Sequence, residues 1–179
     1  MMKGQRLKIV FTGCVGAGKT TAIDAISEID PISTDVKSTE SSVLERKSST
    51  TVAMDYGELT LDAETKLYLY GTPGQRRFDF MSHVLMKGAL GLVILIDNSH
   101  KTPLEELDYY LNLNAEFLTV NPAVIGITHY DEISQPTVDD YYNVLKEHGD
   151  FWPVIQSDAR KPEDVVLLLH TLLAILEYS

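Results

Sequence analysis

The residues in this chain best suited to chemistry are Gly13-Cys14-Val15-Gly16-Ala17-Gly18-Lys19-Thr20, which match G-x-x-x-x-G-K-[ST] at every fixed position. Glycines at this spacing let backbone N–H groups converge on phosphate oxygens, and a helix starting at the loop's end adds a favourable potential for an anion. Lys19 is placed to reach the β- and γ-phosphates, and the Thr20 hydroxyl to ligate Mg²⁺. The expected phosphate-binding set is therefore Gly13, Val15, Gly16, Ala17, Gly18, Lys19, Thr20 and Thr21. This chemistry is shared by hydrolases of GTP or ATP and by small-molecule kinases, so the loop alone does not choose among them.

Such a loop works only between a strand and a helix, and the sequence supplies both. Residues 7–12 form an apolar, β-rich run, and residues 18–28 carry helical periodicity with Ile23 and Ile26 on one side. Residues 31–51 are crowded with Ser, Thr and charge and read as a mobile surface loop. Residues 52–61 and 66–70 read as two strands joined at Asp62-Ala63, and 71–81 as another loop. Strands and helices then alternate over 89–97, 103–117, 123–128, 138–148, 153–156 and 162–177. Each parallel connection needs a crossover, so this order predicts an α/β fold. The expected sheet is six-stranded and mostly parallel, with helices on both faces and one antiparallel edge strand. Neither a repeat nor a linker interrupts the chain, which reads as one domain over 1–179.

The formal net charge of -11 argues against nonspecific binding to nucleic acid or an anionic membrane, because phosphate surfaces would repel it. Cys14 is the single cysteine, which excludes an intrachain disulfide and fits a reducing, cytoplasmic setting. The apolar run near the start is expected to be too short for a signal peptide, and neither end is expected to carry a lipidation signal. Recruitment to a membrane would then need a partner. The apolar stretch at 89–96 is far short of a membrane span.

A second motif, Gly71-Thr72-Pro73-Gly74-Gln75, follows a strand. Its Gly74 can donate a backbone N–H to a γ-phosphate, and Gln75 can orient an attacking water. With both motifs in place the chain resembles the small Ras-like GTPases, which are P-loop NTPases. Among them it is most similar to the bacterial gliding-motility and polarity (MglA-like) GTPases, from Lys8 to the final helix. The resemblance implies a GTP/GDP switch with Mg²⁺ and slow hydrolysis, since Val15 stands where Ras has Gly. It also implies a roadblock-type activating protein, an effector, and roles in polarity, surface motility or pili.

Two departures affect the metal. Ras-like proteins carry D-x-x-G-Q, but Gly71 stands in the Asp position here, as in MglA-like proteins. Asp55 on the neighbouring strand is the candidate replacement, because adjacent strands lie about 5 Å apart. An ordinary strand carboxylate facing water is the alternative. The resemblance further implies a first-switch threonine over Mg²⁺, for which Thr51 fits best and Thr50 is the alternative register. Arg46 is the nearest upstream candidate for an internal arginine finger, against the alternative of a solvated loop residue.

The base-reading motif departs furthest. Where these GTPases carry N-K-x-D, this chain has Thr128-His129-Tyr130-Asp131. Asp131 would pair with the guanine N1–H and 2-amino donors, and His129 would lie against purine or ribose. Ser157-Asp158-Ala159-Arg160 resembles the S-A-K loop, which places Ser157, Ala159 and Arg160 beside the guanine oxygen. An ATP-specific switch, a nonhydrolysing nucleotide-dependent scaffold and a small-molecule kinase remain as rivals. The kinase would need an arginine-rich lid, and the chain has only Arg6, Arg46, Arg76, Arg77 and Arg160. Cys14 is read as a small buried filler rather than a redox sensor, and 165–176 as the apolar stripe of a packed helix.

Overall fold

A strand covered on both faces must be apolar at consecutive positions, and three runs in this chain meet that condition. The first, β1 (Arg6–Thr12), buries Ile9, Val10 and Phe11 completely. With β5 (Gly91–Asp97) and β6 (Ala123–Thr128) it forms the centre of the sheet. The computed structural model describes residues 6–30, 34–37, 51–131, 133 and 135–178, with 34–37 and 51–53 described by backbone alone.

The other strands are β2 (Thr34–Lys37), β3 (Thr51–Thr60), β4 (Lys66–Gly71) and β7 (Val154–Gln156), and the sheet order is β2-β3-β4-β1-β5-β6-β7. Strands β4, β1, β5, β6 and β7 run parallel, and β3 is antiparallel to β4. The mostly parallel α/β sheet with one antiparallel strand is thus as expected. The exception is β2, which lies in the segment expected to be a loop and pairs antiparallel with β3, so β3 is not the edge. Four residues are too few to show strand periodicity in a polar stretch, and the pairing partner defines this strand.

Helices α1 (Lys19–Ile26) and α6 (Pro162–Tyr178) pack together on one face of the sheet. Helices α3 (Pro103–Leu113) and α5 (Val138–His148) pack together on the other. Val165, Leu168, Leu169 and Leu172 form the buried stripe of α6, and Val166, Leu173 and Leu176 flank it half-buried. No helix among the described residues is long and apolar enough to cross a membrane. The expected helix over 103–117 divides at Asn114, which starts a short α4 (Ala115–Leu118). The expected loop at 71–81 ends early in a 3-10 turn (Arg76–Phe78) and α2 (Phe80–Met86). Only Ser82, Leu85 and Met86 of α2 are buried, a stripe too short to register as helical periodicity.

The loops after β1, β4, β6 and β7 therefore emerge together at the carboxyl ends of the parallel strands. In open α/β sheets ligands bind in this crevice.

Candidate functional site

The loop from Gly13 to Gly18 closes tightly because its glycines take conformations other residues avoid. Gly13 has φ 142, and a Cβ there would meet the Leu95 carbonyl oxygen at 2.1 Å. Gly18 has φ 99 and caps α1, so the helix N-terminus opens directly into the loop. Lys19 lies almost fully buried beneath, its Nζ donating to the carbonyls of Gly13 (2.6 Å) and Cys14 (2.8 Å). Burial lowers its ammonium pKa to about 8, and the neighbouring Cys14 and Asp55 offset part of that shift. The lysine is thus a poorly solvated cation at the loop's centre, suited to an anion.

Thr20 and Asp55 meet at the mouth of the loop, the Thr20 hydroxyl donating to Asp55 Oδ2 at 2.7 Å. Asp55 sits opposite Gly71 in the β3–β4 register, and a Cβ on Gly71 would lie 2.9 Å from Asp55 Oδ2. The missing side chain at Gly71 is what leaves room for the Asp55 carboxylate. A hydroxyl and a carboxylate converging beside a phosphate loop form a hard-oxygen donor set that fits Mg²⁺. Thr51 is not brought to this pair. It starts β3 opposite Lys37, four residues from Asp55, or roughly 13 Å along a strand. Thr50 and Arg46 lie outside the described residues.

The turn after β4 leans on the phosphate loop. A Cβ on Gly74 would sit 2.6 Å from the Val15 amide nitrogen and 2.9 Å from Lys19 Nζ. Gly74 therefore packs directly on the loop, as its expected role requires, but Gln75 does not point inward. Gln75 is exposed, and its Oε1 accepts a hydrogen bond from Arg77 Nε at 2.8 Å. Arg76 is anchored on α3, 2.7 Å from the largely buried Glu106 and 3.8 Å from the centre of the Tyr109 ring. Tyr109 also donates its hydroxyl to Asp79. These α3 partners hold the segment carrying Gln75, and their distance in sequence hid them from motif reading.

A cavity of about 390 Å³ opens beside the loop, lined by Thr128, His129, Asp131, Ser157, Ala159 and Arg160 among others. A second, of about 280 Å³, is lined by Lys19, Thr20, Asp55 and Gly74. Gly16, Gly18 and Thr21 wall both, so the two cavities meet across the loop. Their order, a base-sized chamber followed by a phosphate-sized one, fits a nucleotide. Thr128 lines the base chamber, but its buried hydroxyl donates to the Ala17 carbonyl at 3.0 Å. It ties β6 to the phosphate loop. Ala159 is packed against Gly18, and Ser157 is buried at the end of β7. The Arg160 guanidinium pairs with Asp158 and, with the Arg160 amide, holds that carboxyl well below the usual carboxylate range.

Cys14 is buried, and burial pushes its thiol pKa up, which suits a filler and not a reactive thiolate. Val15 is 66% exposed at the loop's rim. Asn98 and Tyr141, buried beneath the base chamber, carried no sequence signal.

Several known proteins are similar to this chain in sequence. The uncharacterized protein MJ1339 of Methanocaldococcus jannaschii is 37% identical over 98 residues, 55% of each chain. The Ras-related protein Rab-18 of Lymnaea stagnalis is 29% identical over 123 residues, 66% of this chain and 54% of its own. The Ras-related protein Rab-26 of Mus musculus is 23% identical over 159 residues, 86% of this chain and 56% of its own. The chain thus spans about half the length of the curated relatives it matches. The similarity these relatives show is Ras-like at a general level. A family described as "conserved hypothetical ATP binding protein" matches residues 11–177, and this nucleotide-binding, Ras-like P-loop chain belongs to it.

Proposed function

We propose that this chain is a guanine-nucleotide switch, a single Ras-like G domain over 1–179 that binds GTP or GDP with Mg²⁺ and hydrolyses GTP slowly. The observation that carries this reading is the pair of joined cavities, with Asp131 at the base end and the Thr20–Asp55 pair at the phosphate end. Backbone amides of residues 13–18 would hold the phosphates, with Lys19 countering their charge. Thr20 and Asp55 would hold Mg²⁺, which when bound neutralises charge between the β- and γ-phosphates. Gln75 would turn away from Arg77 to orient water for in-line attack, while Gly74 donates its N–H to the terminal phosphoryl. Because Gly74 lies against Lys19, a third phosphate would meet that turn directly. The segment over 72–81 would then report nucleotide state to partners. A roadblock-type activating protein, an effector and a place in polarity or motility signalling follow from the sequence resemblance. Recruitment to a membrane would come through a partner.

ATP binding is the second reading, favoured by the family's description and by Thr128, whose hydroxyl serves the loop instead of the base. Fluorescent GDP and ADP binding separates the two. GDP is expected to bind more tightly, and Asp131→Ala to weaken GDP about tenfold, the effect of losing charge-assisted hydrogen bonds to the base. Tighter ADP binding that ignores this substitution would overturn the guanine reading in favour of ATP.

The lysine gives a pH test. Its pKa is about 8 with the loop free, and a bound phosphate raises it, so binding takes up a proton above pH 8 and none below. GDP affinity is expected to be level from about pH 7 to 8 and to fall by up to tenfold per unit above that. Titrations that stay level to about pH 9.5 would remove Lys19 from the binding step.

A further inference from the structure

We infer that Asn98, backed by Tyr141, is the positioning residue of the base-reading loop and sets how tightly the site holds a nucleotide's base. Asn98 follows β5 and is 1% exposed. Its backbone N–H donates to the Thr128 carbonyl at 2.9 Å, and its side-chain amide donates to the Ile133 carbonyl. The Asn98 Oδ1 accepts from the Tyr141 hydroxyl at 2.7 Å, and Tyr141, on α5, is fully buried. One residue thus grips both ends of the segment that carries His129, Tyr130 and Asp131 into the base chamber.

That grip has something to hold. His129 sits at φ 55, in the left-handed region that non-glycine residues occupy only when their surroundings over-determine them. Tyr130 packs into the core between His129 and Asp131 and fixes the middle of the segment. In N-K-x-D proteins an Asn and a Lys begin this motif, whereas here Thr128 turns its hydroxyl to the Ala17 carbonyl. Asn98 braces the loop from beneath, where no base or phosphate reaches it. Removing its amide leaves the Ile133 carbonyl without its partner and lets the strained turn relax, which moves Asp131 off the base.

The inference rests on the base chamber of the proposed function but not on which purine fills it. Its test uses two probes with the full chain: fluorescent GDP and ADP, and inorganic tripolyphosphate, which needs only the phosphate loop. Asn98→Ala is expected to weaken the preferred nucleotide about tenfold and leave tripolyphosphate competition within about twofold. Tyr141→Phe removes one hydroxyl from a residue that otherwise keeps its packing, and is expected to give the same split at about threefold. It carries the test if Asn98→Ala does not fold. Nucleotide and tripolyphosphate weakening together in a folded variant would make Asn98 a general structural residue and overturn the inference, as would unchanged nucleotide affinity. If the unsubstituted chain prefers ADP, the guanine reading fails, and the split measured with ADP still decides the role of Asn98.

Discussion

Replacing Asp55 by asparagine is expected to raise the Mg²⁺ concentration needed to retain nucleotide by at least tenfold. The asparagine amide would keep the shape of the carboxylate and can still accept the Thr20 hydroxyl, so the loop should hold its form. What disappears is the negative charge. Charged hydrogen-bonding contacts contribute about 1.5–3 kcal/mol, or roughly 10- to 150-fold in affinity. The measurement is the release rate of fluorescent GDP across a Mg²⁺ titration, with EDTA as the limit. An Asp55→Asn protein whose release responds to Mg²⁺ as the parent does would remove Asp55 from the metal site.

The register of β3 and β4 sharpens this test. A Cβ at Gly71 would lie 2.9 Å from Asp55 Oδ2 and 3.0 Å from Asp55 Cβ, and the side chains at both positions compete for one volume. Gly71→Asp alone is therefore expected to disable the site by crowding and by like charge. Combined with Asp55→Gly, it moves the carboxylate one strand over and is expected to recover most of the Mg²⁺ response. That double variant distinguishes a metal carboxylate from a merely structural one, since only the former can be supplied from either strand.

The phosphate half of the site was legible because its parts are contiguous. Eight consecutive residues specify the loop, and the strand and helix around it are strong local patterns. Asp55 could be nominated because neighbouring strands bring their residues within reach, although its contact with Thr20 depends on the register with Gly71. The supporting residues were hidden because their partners are remote. Asn98 meets Tyr141 43 residues away, and Arg76 meets Glu106 30 residues away. No local periodicity marks either pair. The inward role of Gln75 was legible as a motif, but its outward pose on Arg77 is a matter of rotamer and neighbour. The strand β2 has no local signal for the same reason, since a polar tetrapeptide becomes a strand only through its pairing with β3.

Gly74→Ala is expected to reduce single-turnover GTP hydrolysis by about a hundredfold or more while leaving GDP affinity within a few-fold of the parent. The added methyl would sit 2.6 Å from the Val15 amide nitrogen and 2.9 Å from the Cys14 carbonyl carbon, both backbone atoms of a loop pinned by Gly13 and Gly18. The loop cannot yield, so the turn carrying Thr72 to Gln75 must back away. Ordinary contact distances set that retreat at about 1 Å, enough to break a hydrogen bond from the Gly74 amide to a terminal phosphoryl. Removing one preorganised donor of this kind costs about 10²- to 10³-fold in rate. Diphosphate binding does not use that amide and should survive. Hydrolysis unchanged by Gly74→Ala would place the catalytic donor elsewhere, whereas GDP affinity falling in step with hydrolysis would mean that the turn supports the phosphate loop itself.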